Sequence, residues 1–398
     1  MAPINRTRIL VVDDSAVMRS LLRSVVSSDS TLEVAGTAAD GASALSGLAL
    51  NRPDLILLDV EMPVMDGLVT LKELRKQGHK MPVIMCSSLT QRGASVTIEA
   101  LAGGASDYVT KPAGQSGREA AFRALAQDLI PKIHALTNPA QQDSLNRSQR
   151  PAPFQPRAVF PGAARSPLSL PLTQSRSQLF RPQPISTVPA VVVVGVSTGG
   201  PAALDVLLPT LPANFALPVL IVQHMPELFT RLFAERLNGR CNLSVCEAAE
   251  SDPVRAGTIY IARGNWHLEA LAASTPNAPP TLHLTQGPLE NHCRPAVDVL
   301  FRSVARLYGT GVLAVVLTGM GSDGANGCRL IREQGGSVLA QDEASSTVWG
   351  MPGAVVNAGL AHKVLPLDAI APEIIRIAGR ANRDLCLPSR DLMRKAVS

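Results

Sequence analysis

The apolar run Val191 to Val194, closing on Gly195-Val196-Ser197-Thr198-Gly199-Gly200, constrains this chain more than any other string in it. Such a run reads as a buried strand, and the glycines after it let the backbone turn sharply. The string fits G-x-S-x-G, in which a strained strand-to-helix bend exposes a serine hydroxyl. A small-residue turn in this position also suits a phosphate held on helix-terminal N–H groups. The serine reading needs a base from elsewhere in the chain.

Two other apolar runs supply candidates. Val219 to Val222 ends in Gln223-His224-Met225-Pro226, and Val312 to Leu317 ends in Thr318-Gly319-Met320-Gly321-Ser322-Asp323-Gly324. Short apolar runs separated by helical-length gaps predict buried parallel strands. Ligands of such sheets sit beyond the carboxyl ends of the strands. Ser197, His224 and Asp323 would therefore share one rim. Their chemistry suits acyl transfer, with His224 as base and Asp323 fixing its tautomer. The chain order Ser, His, Asp differs from the Ser, Asp, His of an α/β-hydrolase, so the motif does not carry that fold with it.

The N-terminal third repeats the pattern with different exits. Arg8 to Val12 exits at Asp13-Asp14-Ser15, and Asp54 to Leu58 exits at Asp59. Met81 to Cys86 exits at Ser87-Ser88, and Asp107 to Thr110 at Lys111-Pro112. About five β/α units predict a doubly wound domain. Three carboxylates at one rim repel one another unless a cation joins them, and hard oxygen ligands suit Mg²⁺. Asp59 could then accept a phosphoryl group while Lys111 and the cation balance its oxygens.

Composition narrows the alternatives. The 398 residues are 46% hydrophobic and 17% charged, enough for two well-filled domains. Aromatic content of 3% argues against a base-stacking nucleic-acid surface. No apolar run reaches the roughly 18 residues of a membrane span, and Met1 to Arg6 has no signal-peptide core. The cysteines, Cys86, Cys241, Cys246, Cys293, Cys328 and Cys386, lack metal-binding spacing. A cytoplasmic protein with free thiols is expected. The net charge of +5 resides in residues 139–188, where six arginines face Asp143 alone amid nine prolines. That composition predicts a disordered linker.

The N-terminal region, 7–130, resembles the receiver domain of two-component response regulators. The resemblance implies that Asp59 is the phosphoacceptor, that Asp13 and Asp14 help bind Mg²⁺, and that Ser87, Lys111 and Tyr108 sense the phosphoryl group. Residues 189–380 resemble the catalytic domain of the chemotaxis protein-glutamate methylesterase, the CheB family. Val-Ser-Thr-Gly-Gly, Gln-His-Met-Pro and Leu-Thr-Gly-Met-Gly-Ser-Asp-Gly carry that resemblance, with Phe229 to Leu237 and Arg294 to Phe301. It implies hydrolysis of glutamyl methyl esters, and deamidation of glutamines, on chemoreceptors, with a histidine kinase as phosphodonor. It also places the Met320 backbone N–H in the oxyanion hole and implies no cofactor in the esterase domain. Ser322 stands where Asn is common, and the linker is long for the family. Residues 381–398 read as a tail.

Two other output classes compete with this one. A DNA-binding output predicts a short basic helix-turn-helix module, whereas the C-terminal half alternates strands and helices without net basic charge. A phosphate- or nucleotide-binding adaptor predicts GxGxxG or GxxxxGK[ST] at the Gly195 turn, and neither is there. His292 is a further candidate for orienting substrate, Arg231 and Arg294 for engaging an acidic receptor segment, and Asp342 to Ser346 with Trp349 to Pro352 for a loop beside the site.

Overall fold

The protein is described here from a computed structural model, which places residues 6–112, 117–137, 185, 188–273, 275–276 and 278–385. Five strands, β1 (Thr7–Val12), β2 (Leu32–Ala38), β3 (Leu55–Asp59), β4 (Val83–Ser87) and β5 (Asp107–Thr110), form one parallel sheet in the order β2-β1-β3-β4-β5. The central strands are buried on both faces because helices cover both. Those helices are α1 (Ala16–Ser27), α2 (Gly41–Asn51), α3 (Gly67–Lys76), α4 (Gln91–Ala102) and α5 (Arg118–Thr137). Ser15, Asp40, Asp66 and Thr90 each cap the helix that follows by accepting from a first-turn N–H. Each cap contributes about 1 kcal/mol.

The C-terminal half is a second doubly wound domain. Seven parallel strands run in the order β14-β13-β12-β6-β7-β9-β8. They are β6 (Val191–Val196), β7 (Val219–Gln223), β8 (Ser244–Glu247), β9 (Thr258–Ile261), β12 (Val312–Val316), β13 (Ser337–Gln341) and β14 (Lys363–Leu365). A separate antiparallel hairpin joins β10 (His267–Leu271) to β11 (Thr281–Thr285). The helices are α6 (Gly200–Leu207), α7 (Glu227–Asn238), α8 (Val297–Tyr308), α9 (Ala325–Glu333), α10 (Gly350–Asn357) and α11 (Leu367–Leu385). The chain winds from β6 first toward β7 and then back to β12 on the other side. Such a reversal opens a crevice at the strand ends.

Element ends differ from the expected boundaries in two places. Helix α5 runs to Thr137, past the expected domain bound at 130, and Ile133 and Ala135 continue its buried face. Helix α11 runs to Leu385, past the expected domain end at 380. Of the expected linker, 139–188, only Ile185 and Val188 are described, Ile185 buried and Val188 exposed. The rest of the linker and residues 386–398, Cys386 among them, lie outside the described residues.

The two domains meet along α4 and β5 on one side and α6 and α7 on the other. One buried hydrophobic cluster contains Ala94, Ile98 and Tyr108 of the first domain together with Leu204, Phe229 and Phe233 of the second. The Tyr108 and Phe229 rings stack at 4.7 Å between centroids, 12° from parallel.

Candidate active site

Register brings three strand ends to one level. In the β6–β7 pair Val196 faces Gln223, and His224 N–H continues the ladder to the Val196 carbonyl at 3.2 Å. On the other flank Val316 faces Gly195, and Ser197 N–H reaches the Thr318 carbonyl at 3.0 Å. Ser197 and His224 thus emerge side by side, with the β12 loop beyond. Glycine is required twice here. Gly199 caps α6 with φ +76°, and a Cβ on it would lie 2.4 Å from the Thr347 Oγ1. A Cβ on Gly319 would lie 2.9 Å from the Ser197 Cβ and 2.4 Å from the Met351 Sδ.

The structure joins two of the three expected catalytic residues directly. The His224 Nε2 lies 2.9 Å from the Asp323 Oδ2, across 99 positions of sequence. Ser197 sits on the same rim, half-buried, and its hydroxyl makes no hydrogen bond among the described residues. The opposite His224 nitrogen, Nδ1, faces the Cys293 thiol at 3.6 Å. Burial alone would lower the His224 pKa, but the bond to Asp323 and the Cys293 contact outweigh it and push it up to about 10.

Asp323 is 3% exposed and accepts from four groups. Beside His224 these are the Val297 N–H at 2.7 Å, the Asp298 N–H at 3.0 Å and the Asn291 Nδ2 at 2.7 Å. The two amides open helix α8, whose N-terminal dipole favours a negative charge. Burial pushes the Asp323 carboxyl up, yet His224 and these amides prevail and hold it below the usual range. Asn291 reaches on to the Asp298 Oδ2 at 3.0 Å, so one amide bridges two buried carboxylates. Asp298 also accepts from the Gly327 N–H at 2.7 Å, and its pKa is raised by burial and by Asp323.

Sequence reasoning did not anticipate Asn291 or the Cys293 contact. The signal lay in the string Asn291-His292-Cys293-Arg294, but its backbone is unusual: Asn291 and His292 hold φ of 51° and 61°. His292 itself is exposed. Arg294 is committed to the Asn265 side chain and the Gln286 and Gly287 carbonyls, and Arg231 pairs with Glu235 at 3.9 Å.

The Met320 N–H donates to no group among the described residues. It sits where a Cβ on Gly350 would lie 3.1 Å from its Cα. The 342–352 segment does border the site: Val348 N–H bonds the Thr318 hydroxyl at 3.0 Å, and Gly319 pairs with Trp349.

The N-terminal rim is equally compact. Oxygens of Asp13, Asp14 and Asp59 lie within 4.8 Å of one another, an all-oxygen donor set that fits Mg²⁺. Lys111 Nζ stands 2.8 Å from Asp13 and 2.7 Å from Asp59. Burial, with Lys111 pulling the other way and Asp13 adding repulsion, pushes the Asp59 carboxyl up to about 6. Ser87 is buried at the end of β4, beside this cluster in the strand order. Tyr108 faces away, into the domain contact already described.

Fold and site together define a response regulator whose output half is a doubly wound domain with Ser, His and Asp at one rim. The CheB methylesterase family model matches residues 192–374, and that of the response regulator receiver domain matches 9–123. A protein-glutamate methylesterase/protein-glutamine glutaminase of Nocardioides sp. (strain ATCC BAA-499 / JS614) is 48% identical over 381 residues, covering 95% of this chain and 97% of that one. A relative of the same name from Trichodesmium erythraeum (strain IMS101) is 46% identical over 379 residues, 94% and 99% of the two chains. The crystal structure of the Thermotoga maritima CheB methylesterase catalytic domain is 40% identical, covers 48% of this chain and 98% of its own, and superposes with a TM-score of 0.46. The chain belongs to the protein-glutamate methylesterase/protein-glutamine glutaminase family.

Proposed function

We propose that this chain hydrolyses glutamyl methyl esters on chemoreceptors, and deamidates glutamines there, under control of its own receiver domain. The observation that carries the reading is the arrival of Ser197, His224 and Asp323 at the ends of three adjacent strands. The Ser197 Oγ attacks the ester carbonyl carbon while His224 takes its proton. The imidazolium is stabilised by Asp323, already bonded to Nε2, so Nδ1 is the nitrogen that serves the serine. The oxyanion meets the Met320 N–H. Collapse breaks the carbonyl–methoxy bond, and His224 returns the proton to release methanol. Water then repeats the cycle on the acyl-serine and leaves glutamate. With an amide the leaving group is ammonia.

Control begins at Asp59, which accepts a phosphoryl group from a chemotaxis histidine kinase. Asp13, Asp14 and Asp59 would hold Mg²⁺, which when bound supplies positive charge to the phosphoryl oxygens. Lys111 and Ser87 hold the phosphoryl oxygens, and Tyr108 carries the change to the domain contact. Residues 139–188 tether the two domains, and docking of the receiver restrains the esterase. Among the described residues no helix is long and apolar enough to cross a membrane, and we place the protein in the cytoplasm at receptor arrays. Methanol release from methylated receptors, with and without a small phosphodonor, tests the reading. Absence of release from both forms of a folded chain would reject it.

A further inference from the structure

Among the described cysteines, Cys293 alone faces a catalytic imidazole. Cys86 and Cys328 are buried in the two cores, and burial pushes both thiols up. Burial likewise raises Cys241 and Cys246. Cys293 is half-buried on the loop after the left-handed pair Asn291 and His292, so small reagents can reach it. Its Sγ lies 3.6 Å from the His224 Nδ1, and Asp323 holds the far side of that ring at 2.9 Å. This is the thiol–imidazole–carboxylate arrangement that activates a sulfur nucleophile.

We infer that Cys293 is a modification site for soft electrophiles, hydroperoxides above all, and that its modification shuts off the esterase by occupying His224. With hydrogen peroxide the sulfur attacks one oxygen, an S–O bond forms and the O–O bond breaks. Sulfur loses two electrons and the peroxide gains them. His224 relays the thiol proton to the departing oxygen, so the products are a sulfenic acid and water. The new oxygen sits against Nδ1, the nitrogen that the proposed mechanism needs for Ser197. The blocking half of the inference rests on that mechanism; the reactivity half rests on the Cys293–His224 contact alone.

The test separates the two. Full-length protein is pulsed with iodoacetamide and the alkylation of each cysteine is followed by peptide mass spectrometry. Cys293 should react at least about tenfold faster than Cys241 or Cys246, and His224→Gln should remove about that factor. The wild-type comparison of the three thiols needs no variant to fold. Equal rates at the three thiols, or an unchanged Cys293 rate in a folded His224→Gln chain, overturns the reactivity. Peroxide treatment should then place a dimedone adduct on Cys293 and stop methanol release, with dithiothreitol restoring it before dimedone is added. Cys293→Ala, scored against its own untreated rate, should survive the same exposure. Methanol release at the untreated rate from chains oxidised at Cys293 overturns the block. A chain inactive before any treatment counts against the proposed function instead, and the alkylation rates still decide the thiol.

Discussion

The Thr198 hydroxyl donates to the Asp107 Oδ2 at 2.5 Å, a bond between the domains one residue away from Ser197. Both side chains are buried, Thr198 at 4% and Asp107 at 6% exposure. Asp107 opens β5, the strand whose far end leads to Lys111. Through this strand the Asp13, Asp59 and Lys111 rim and the Ser197 turn are joined by one element. Lys132 completes the arrangement, 3.9 Å from Asp107 and bonded to the Tyr108 carbonyl at 2.7 Å.

Cutting that bond should loosen the docked receiver. A hydrogen bond to a charged group is worth about 1.5–3 kcal/mol, so Asp107→Ala should raise basal methanol release by roughly tenfold or more. The isolated 189–398 fragment lacks Asp107 and sets the ceiling. Basal rates equal to wild type in a folded Asp107→Ala chain would show that this contact does not restrain the esterase.

Ser197→Ala and His224→Ala should each lower kcat by at least about a thousandfold, since such groups act as a unit. Asp323→Asn should cost less but still orders of magnitude, because its one remaining oxygen can still accept from one of the two α8 amides. Circular dichroism should show all three folded. Activity within tenfold of wild type in Ser197→Ala would remove the nucleophile assignment.

The bridging amide gives a distinct expectation. Asn291→Ala takes one donor from Asp323 and leaves Asp298 with less compensation, at about 1.5–3 kcal/mol for a charged hydrogen bond. A fall in kcat of roughly 10- to 100-fold is expected, with a lowered Tm. Asn291→Asp should be worse, since it sets a third carboxylate between two buried ones. Equal kcat in Asn291→Asp and wild type would mean that Asp323 is oriented by the α8 amides alone.

As the proposed base, His224 works only when neutral, and its contacts push its pKa up to about 10. Protonation is the inactive form, so activity must rise with pH rather than fall. After subtraction of spontaneous ester hydrolysis, kcat/KM of the unphosphorylated chain should climb from about pH 7 to about pH 9. Cys293→Ala removes one of the two groups that raise the imidazole. Its rising limb should lie at lower pH. A flat profile across this range would contradict a raised His224.

Removing the divalent cation should separate the two domains functionally. EDTA should abolish stimulation by a small phosphodonor and leave basal methanol release in place, and Asp59→Ala should behave the same way with Mg²⁺ present. Loss of basal activity on chelation would place a cation requirement in the esterase half.

Sequence alone determined the two doubly wound domains and the polar residue at each strand exit. The reason is local: a buried parallel strand is an uninterrupted apolar run, and the residue after it must be able to leave the core. Ser197, His224, Asp13 and Lys111 directly follow their strands, Asp59 closes β3, and Asp323 lies on the loop after β12. Which exits become neighbours is a matter of strand order, and only the tertiary structure sets β12, β6 and β7 side by side. That order closes the 99-residue gap between His224 and Asp323. The end of α5 was less legible, because that helix continues where Ile133 and Ala135 still find a core to bury against. The least legible partners were Asn291 and Cys293, carried by a loop whose left-handed backbone follows no periodic pattern. The docking of Tyr108 on Phe229 and of Asp107 on Thr198 was likewise decided in three dimensions, where two buried surfaces with no shared sequence signal exclude water together.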